Sequence, residues 1–504
     1  MIISLLLLTL IFLIVLYVCL TKNSKYWQKR GVPCADGALP GVGHLWDVVT
    51  MKKTVSECCR KIYNENRDHS MVGFYNFTTP VLMVREPELV KTVLQTSFGS
   101  FHDNAIKINP KLDPLLANNP FFIYGDKWMA ARKRLTYAFS SMRLKILLES
   151  VKQVCETLEQ YVNKKLGKSG KVEFELKELF AKFTAQVVSG TGFGVDGLCF
   201  NDERAKESFY AIGNSFLQPT AWNNFIFLLV FLVPPLADIF QVGMVPKKAD
   251  RFFRAIIVDV IEQRRKESIP RNDFLQLMVD LERAEGEKFD LEVLTAHTVS
   301  FFIDGYETSS SVLSYVAFNL AINPEVQEKL RKEAISVLNK YNGKLTYEAL
   351  REMTYMDQVI SESQRILPTV GFLNKVCTEE TELRGSDGLV CRVERGTPIL
   401  IPIYGLHHDP RYWEDPKVFD PDRFSPERKQ SLERFAFLPF GDGPRQCVGM
   451  RMALLQIKAC LATFLKNYSL ELSPKTQLPL KITGNTFVTA AEGGLWAIVR
   501  PIQG

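Results

Sequence analysis

The first twenty residues, MIISLLLLTLIFLIVLYVCL, contain no charged side chain. A run of this length and hydrophobicity can cross a bilayer as one α-helix. Lys22, Lys25, Lys29 and Arg30 follow at once, and positive charge stays on the cytoplasmic side of a membrane. A cleaved secretory signal is the alternative, but no basic residues precede the run and YVCLTK lacks a small-x-small cleavage site. We therefore expect a retained membrane anchor, with the rest of the chain facing the cytosol.

Helical periodicity dominates the rest of the chain from about residue 87 to residue 341, which predicts a mainly α fold. Asp290 is expected to cap a long helix that stops at Asn323–Pro324. With 504 residues and 46% hydrophobic residues, the chain can build a sizeable core. The net charge of +6 is mild and argues neither for nor against a nucleic-acid partner, and we expect none.

Small β-sheets are predicted beside the helices. The segment MVGFYNFTTPVLMVRE alternates around residues 78–80 and predicts a hairpin. Runs of β-branched residues over 388–403 and 485–499 predict further short strands. Between the anchor and the globular part, the Gly- and Pro-rich segment GVPCADGALPGVGHL predicts a stiff linker.

A second apolar run, FIFLLVFLVPPL, covers residues 225–236 and is too short to span a bilayer. We expect Pro234 and Pro235 to end it. A buried helix is the first interpretation. The second is a surface helix that dips into the membrane holding the anchor.

Ten cysteines are scattered along the chain, and none forms a C-x-x-C pair. This distribution is typical of a reducing compartment and disfavours zinc and thioredoxin-like sites. Cys447 differs from the others because it lies in PFGDGPRQCVGM, just before an amphipathic helix that begins MRMALLQIKACLATFL. Free amides at a helix start favour a thiolate, and glycines let amides approach the sulfur.

The loop fits the pattern F-x-x-G-x-R-x-C-x-G through Phe440, Gly443, Arg445, Cys447 and Gly449, with Gly441 as a further glycine. A thiolate at Cys447 is suited to bind haem iron. The planar guanidinium of Arg445 is suited to bind a haem propionate. The alternative is an inert buried cysteine in a glycine turn.

This loop resembles the haem-binding signature of the cytochrome P450 monooxygenases, and the resemblance covers nearly the whole chain. It implies the family's α-rich triangular prism with small sheets. The implied division is an anchor over 1–21, a linker over 22–45 and a haem-binding catalytic domain over 46–504. The family's proline-rich hinge is reduced to Pro33 and Pro40.

Two further matches are expected to contact the haem propionates by resemblance. Trp128 and Arg132 fit W-x-x-x-R, a spacing that places both on one helix face. Lys375 stands where the family has an arginine. It would therefore contact a propionate through a single ammonium group and not through a bidentate guanidinium.

DGYETSS, residues 304–310, resembles the family's oxygen-activation motif. Gly305 would leave room for dioxygen against the backbone. The Thr308 hydroxyl is expected to bond back to the Asp304 carbonyl, distort the helix locally and hold water. Glu307 would pass protons. Asp304 stands where the family usually has Ala or Gly. It is a candidate proton donor, anchor for a cationic substrate or ligand to ferric iron. The alternative is that its side chain is turned aside and hydrogen-bonded by the backbone or by His297.

Glu362 and Arg365 match the family's E-x-x-R, and FDPDRF supplies Arg423. By resemblance these three charges form a buried network behind the haem loop. Breaking such a network leaves a charge unpaired, so the expected role is to hold the loop in shape.

The resemblance implies a membrane-anchored monooxygenase that inserts one atom of dioxygen into an apolar small molecule. The expected cofactor is haem b with an axial cysteine thiolate. Electrons from NADPH would arrive through a flavoprotein reductase, with a small electron-transfer haem protein as a further partner. Basic side chains near the cysteine face are candidates for docking an acidic partner, namely Lys133, Arg134, Arg428 and Lys429, and the alternative is an ordinary solvated surface.

The overall sequence resembles microsomal members of the insect detoxification branch. This resemblance implies that the protein is located in the endoplasmic reticulum membrane. Three alternatives stay open at this point: an isomerase or dehydratase of oxygenated lipids, a haem-binding sensor, and a haem-free helical scaffold. Substrate identity does not follow from the fold.

Overall fold

Helices account for most of the molecule in the computed structural model, which describes residues 2–218, 220–267, 271–286, 289–482 and 488–502. The α-helices, in chain order, are α1 (Ile2–Thr21), α2 (Trp46–Val49), α3 (Val55–Glu65), α4 (Pro87–Lys91), α5 (Phe98–Phe101), α6 (Pro114–Ala117), α7 (Gly125–Ala138), α8 (Ser141–Leu166), α9 (Leu176–Val188), α10 (Phe209–Leu217), α11 (Ala221–Phe227), α12 (Pro234–Phe240), α13 (Lys247–Lys266), α14 (Phe274–Glu285), α15 (Leu291–Ile322), α16 (Pro324–Lys340), α17 (Tyr347–Glu352), α18 (Thr354–Ile366), α19 (Ile403–Leu406), α20 (Pro426–Lys429) and α21 (Met450–Asn467). Short 3₁₀ turns lie at Gln28–Arg30, Ala205–Glu207, Pro421–Phe424 and Arg434–Ala436, and π-helical turns at Thr92–Thr96, Ser189–Phe193 and Leu228–Leu232. The prediction of a mainly α fold is confirmed.

The strands form three small sheets. They are β1 (Met71–Asn76), β2 (Thr79–Val84), β3 (Asp103–Asn104), β4 (Val172–Glu175), β5 (Leu373–Val376), β6 (Thr381–Arg384), β7 (Val390–Val393), β8 (Pro398–Ile401), β9 (Tyr468–Leu472) and β10 (Trp496–Pro501). The sheets have the orders β1-β2-β8-β5-β3, β4-β10-β9 and β6-β7. β2 and β8 run parallel, whereas the other paired strands are antiparallel.

Most of the strand predictions are confirmed. β1 and β2 form the expected hairpin, closed by the Asn76–Thr79 pair. β7 and β8 lie in the predicted range 388–403. In the range 485–499, β10 begins at Trp496, and residues 485–487 lie outside the described part of the chain.

α15 runs through the middle of the helical body. The Asp290 side chain caps it by accepting a hydrogen bond from the Glu292 amide at 2.8 Å. The helix ends at Ile322, and Pro324 opens α16 at once, since proline is tolerated in the first helical position. α15 packs against α6, α9, α18 and α21. It therefore carries residues 304–308 into the interior.

The apolar helix α1 has no buried residue. Among the described residues it is the single helix long and apolar enough to cross a membrane, with a mean hydropathy of 3.1. The segment behind it packs onto the larger sheet. Trp27, Val32 and Leu45 are 1%, 4% and 2% exposed in the core that contains β1 and β2. Much of the 22–45 segment is therefore part of the globular body.

The second apolar run begins in α11 and continues through a π-helical turn that ends at Leu232, just before Pro234 and Pro235, as predicted. Pro234 also opens a further short helix, α12. One side is buried, at Ile226, Leu229 and Val230. The other side is exposed, at Trp222 (67%), Phe225 (42%), Leu236 (39%), Ile239 (71%) and Phe240 (61%). The segment thus has an inner face in the core and an outer apolar face, which we call the α11–α12 patch.

Candidate active site

The loop before α21 is closed by its own backbone. The Cys447 amide donates to the Phe440 carbonyl at 2.9 Å. Gly443 has a φ of +75°, and a Cβ there would lie 2.0 Å from the Leu94 carbonyl oxygen. A side chain at this position would break the contact between the loop and the segment after α4, so the glycine is required for the loop's shape.

The Cys447 side chain is exposed to an internal cavity, not to bulk solvent. Desolvation raises the pKa of its thiol, while the amides of Gly449 and Met450 lower it in part. The expected amide contacts are therefore present. These amides favour the thiolate, as expected, but desolvation outweighs them in the protein without a bound metal.

Arg445 is fixed on the wall of this cavity. Its guanidinium donates to Asp103 Oδ1 and to the Ile123 carbonyl, both at 3.0 Å, and lies 4.3 Å above the centre of the Trp128 ring. Desolvation lowers the pKa of Arg445 to about 10. Among the described residues, its buried Nε has no hydrogen-bond partner.

Two further cations line the same cavity. Arg132, on α7 with Trp128, donates to the Gln446 carbonyl at 2.6 Å. Lys375 donates to Asn104 Oδ1 at 2.9 Å, and the pairing of β3 with β5 sets these two residues side by side. Desolvation, followed by the charge of Arg445, lowers the pKa of Lys375 to about 7. The sheet and α7 thus bring separate cations to one wall.

α15 supplies another part of the cavity lining. The Thr308 hydroxyl donates to the Asp304 carbonyl at 2.6 Å, as predicted. Every residue of 291–322 is described and α-helical, so the bond does not interrupt the helix, and the local distortion stays a prediction. Gly305 lines the cavity, and its expected role of leaving room for dioxygen stays a prediction. A Cβ there would lie 3.3 Å from Val188 Cγ2, so glycine also permits α15 to pack closely on α9.

Glu307 is held from the side by Lys177 of α9. Lys177 Nζ lies 3.0 Å from Glu307 Oε1 and donates to the Glu307 carbonyl at 3.0 Å and to the Ser310 hydroxyl at 2.6 Å. Both Glu307 and Thr308 line the cavity. The acid and the hydroxyl of the motif are therefore in one compartment, with the acid in an ion pair.

Asp304 projects its carboxylate into the cavity. Asn119 Nδ2 donates to Asp304 Oδ2 at 3.2 Å, and no hydrogen bond joins Asp304 to His297 among the described residues. Desolvation raises the pKa of Asp304 to about 6, and the Asn119 hydrogen bond opposes this. The Asp304 charge also raises the pKa of the Cys447 thiol, which places the two groups near each other.

The Glu362 carboxylate and the Arg365 guanidinium form a bidentate pair, at 2.7 and 2.8 Å, and both side chains are fully buried. Arg423 Nε lies 3.4 Å from Glu362 Oε1. Arg365 also donates to the His407 carbonyl at 3.0 Å, and the His407 ring accepts from the Leu438 amide at 2.9 Å. The network therefore reaches the cysteine loop through His407.

The cavity enclosed by these elements has a volume of about 930 Å³. Its lining is mostly apolar and includes Ile106, Phe121, Phe122, Phe231, Ile303, Val370 and Leu373. The expected haem contacts Phe440, Gly441, Gly449, Trp128, Arg132, Lys375, Arg445 and Cys447 all line it, together with Asp304, Glu307 and Thr308. The network residues Glu362, Arg365 and Arg423 lie outside the lining.

Comparison with known proteins agrees with this arrangement. The cytochrome P450 family model matches residues 33–498. Cytochrome P450 9e2 of Blattella germanica is 32% identical, over 96% of this chain and 95% of its own length. Probable cytochrome P450 6a13 and probable cytochrome P450 28d1 of Drosophila melanogaster are each 33% identical, with 96% of both chains covered. The chain belongs to the cytochrome P450 family.

This cytochrome P450 is therefore a haem-dependent monooxygenase, an oxidoreductase of the haem-thiolate class. The expected similarity to insect members is confirmed. The residues present fit haem. Among the described residues, the lining contains the Cys447 thiol and the cations Arg132, Lys375 and Arg445, besides Lys177, which is paired with Glu307. Arg445 is ion-paired with Asp103 and has a buried Nε without a partner in the described chain. Such a surplus of positive charge suits the propionates.

Four residues of this P450 site escaped the sequence analysis: Asp103, Asn119, Lys177 and His407. Each contacts a motif residue or the cysteine loop, but none belongs to a motif. Asn119 and Asp103 contact residues 185 and 342 positions away in the chain. Only the fold brings such pairs together, so no local pattern indicates them.

Proposed function

We propose that this P450 inserts one atom of dioxygen into apolar small molecules, using NADPH-derived electrons from a membrane-bound flavoprotein reductase. The observation that supports the proposal is that Cys447, Thr308 and Asp304 all line one mostly apolar cavity. The Thr308 hydroxyl is hydrogen-bonded to the Asp304 carbonyl. The cavity volume of about 930 Å³ is at the upper end for small-molecule sites.

Cys447 is the proposed axial ligand, in the loop shaped by Phe440, Gly441 and Gly449. A haem held by a thiolate supplies electron donation that favours cleavage of the O–O bond. Arg445 and Arg132 would hold the propionates through fork-shaped donors, with Trp128 supporting the Arg445 guanidinium. Lys375 would add its ammonium charge near a propionate. To do so, it would give up its hydrogen bond to Asn104.

Thr308 is proposed to position water and protons. Its hydroxyl hydrogen is engaged with the Asp304 carbonyl, which leaves the oxygen free to accept a hydrogen bond from water. Glu307 would transfer protons into the cavity, and its ion pair with Lys177 holds the carboxylate in place between transfers. Asp304 is a third polar group in this compartment.

Glu362, Arg365 and Arg423 are proposed to keep the cysteine loop in shape. Their route to the loop is the Arg365 bond to the His407 carbonyl and the His407 bond to the Leu438 amide. The network does not line the cavity, so its effect on the reaction would pass through the loop alone.

We place the protein in the endoplasmic reticulum membrane, with α1 as a single-pass anchor and the catalytic domain facing the cytosol. The lysines and arginine behind α1 and the exposed α11–α12 patch support this placement. The division into an anchor over 1–21, a linker over 22–45 and a catalytic domain over 46–504 is part of the proposal, with the linker packed onto the domain.

The reductase, or a small electron-transfer haem protein, would dock on the basic cysteine face. Lys133 and Lys429 are exposed there. Arg428 is ion-paired with Asp420 at 2.8 Å, and Arg134 lies over the Phe289 ring at 4.2 Å. The two lysines are thus the better candidates for contact with an acidic partner.

Reconstitution tests this proposal directly. The purified full-length chain is mixed in lipid vesicles with an NADPH-dependent flavoprotein reductase, isotopically labelled dioxygen and a panel of apolar compounds. We expect NADPH consumption and a product carrying one labelled oxygen atom. An oxygenated lipid converted without NADPH would support an isomerase or dehydratase instead. Haem spectra without either turnover would support a sensor.

A further inference from the structure

The Asp304 side chain faces the cavity and takes part in no ion pair among the described residues. One oxygen, Oδ2, accepts from Asn119, and no donor in the described chain contacts Oδ1. Desolvation raises the pKa of Asp304, and a cation beside the carboxylate would offset that desolvation cost.

Asn119 fixes where this carboxylate lies. The Asn119 side chain is 2% exposed, and its Oδ1 accepts from the Phe121 amide at 2.7 Å. Its Nδ2 is therefore directed at Asp304 from the segment that also supplies Phe121 and Phe122 to the lining. A buried amide therefore positions the carboxylate in a cavity whose lining includes these two aromatic rings.

Three other acidic side chains of the lining are matched with cations: Glu307 pairs with Lys177, Glu178 pairs with Lys182 at 2.8 Å, and Asp442 pairs with Arg434 at 3.0 Å. Glu175 and Glu492 also line the cavity without an ion pair among the described residues, but both carboxylate oxygens of Glu175 accept from backbone amides, those of Glu178 and Leu495. The cations Arg132, Lys375 and Arg445 lie on the wall proposed for the propionates, and none forms an ion pair with Asp304. Asp304 thus remains available to a ligand.

We propose that Asp304, positioned by Asn119, is an anchor for a cationic amine, so that apolar compounds carrying an ammonium group are a preferred substrate class. The rings of Phe121 and Phe122 would contact the apolar part of such a molecule while the carboxylate contacts its charge. This inference rests on the proposed function, since the anchored molecule would lie in the same cavity as the haem.

The test uses two probes that differ in one atom. The cation is (4-phenylbutyl)trimethylammonium, which can neither lose a proton nor coordinate iron. The neutral partner, (5,5-dimethylhexyl)benzene, has carbon in place of nitrogen. Dissociation constants of both are measured by displacement of a neutral spectral ligand from the haem-loaded, full-length protein. The ratio of the two constants is compared between variants, which cancels the difference in their hydrophobicity.

Asp304→Asn keeps the shape of the side chain and removes its charge. We expect it to weaken binding of the cation relative to the neutral probe by on the order of tenfold to a hundredfold. Glu178→Gln removes a carboxylate that already has a cation, and we expect it to retain the wild-type ratio. Asn119→Ala should lower the preference for the cation in part, because Asp304 loses its positioning contact.

An unchanged ratio in Asp304→Asn, with haem and the carbon-monoxide spectrum intact, would overturn the anchor and leave the monooxygenase proposal standing. A ferric spectrum that changes in Asp304→Asn without any ligand, together with an unchanged ratio, would also overturn it and indicate an iron contact. Absence of haem in the wild-type protein would instead contradict the proposed function itself.

Discussion

The Thr308 hydroxyl lies 2.6 Å from the Asp304 carbonyl, one helical turn earlier on α15. The bond orients the hydroxyl on the cavity lining without interrupting the helix. Thr308→Ala removes this hydroxyl and leaves the backbone unchanged. We expect haem binding to persist while product formation per NADPH falls and hydrogen peroxide is released. General acid–base assistance is typically worth about two to four orders of magnitude.

Thr308→Ser is the matched control, because serine can make the same bond to the Asp304 carbonyl. It should restore most of the coupling between NADPH consumption and product. Unchanged coupling in Thr308→Ala would remove Thr308 from proton delivery.

The buried Glu362–Arg365 pair gives a stability prediction. Glu362→Gln leaves Arg365 and Arg423 without their buried carboxylate partner, and breaking such a pair costs about 3–5 kcal/mol. We expect a lower urea midpoint and loss of haem during purification. Lys329→Gln is the control, since its ion pair with Asp422 is exposed and should contribute at most about 1 kcal/mol. Equal midpoints for the two variants would contradict the role of the network.

His407 gives a pH prediction. Desolvation lowers the pKa of this buried ring to about 3, so the folded protein keeps it neutral where the unfolded chain binds a proton. Its contribution to stability is present above the ordinary histidine pKa of about 6.5 and is lost as the pH falls towards 3. His407→Gln should therefore lose less stability than the wild type on acidification, measured as unfolding free energy against pH.

His407→Phe separates this titration from the hydrogen bond to the Leu438 amide. Both variants remove the titration, but phenylalanine leaves the buried amide without an acceptor, at a cost of about 1–3 kcal/mol. We expect His407→Phe to lose haem more readily than His407→Gln at neutral pH. Identical pH slopes for His407→Gln and wild type would contradict the burial argument.

Features coded by neighbouring residues could be predicted from the sequence. The cysteine loop, the Asp290 cap and the Thr308 bond each depend on residues a few positions apart. Contacts between distant segments could not, and these include Asn119 with Asp304 and Lys177 with Glu307. They depend on how α9 and the segment after α6 pack on α15, which no local pattern determines.

Other features that the sequence does not show have the same origin. The amides near Cys447 follow from the local sequence, but the desolvation that outweighs them belongs to the assembled cavity. Gly305 follows from its motif, whereas its contact with Val188 depends on the packing of another helix. The doublet Pro234–Pro235 follows the end of one helix, as predicted, but a doublet alone does not show that Pro234 also opens α12.

Membrane attachment is predicted to use two contacts. Deletion of residues 1–21 should leave a folded haem protein that still partly sediments with vesicles through the α11–α12 patch. Ile239→Glu combined with Phe240→Glu should release this shortened protein, because both side chains are largely exposed. Val418→Glu is the control, because Val418 is 55% exposed but lies outside the α11–α12 patch. This variant should not release the shortened protein from vesicles. A shortened protein that is fully soluble without these changes would reject the second contact.

The spectrum of the reduced carbon-monoxide adduct tests the central claim, that Cys447 holds the haem iron. We predict a red-shifted Soret band in the wild-type protein and in Cys34→Ser, whose thiol is partly buried outside the cavity lining. Cys447→Ser should lack this band. A Cys447→Ser protein that keeps the red-shifted band would show that Cys447 is not the axial ligand.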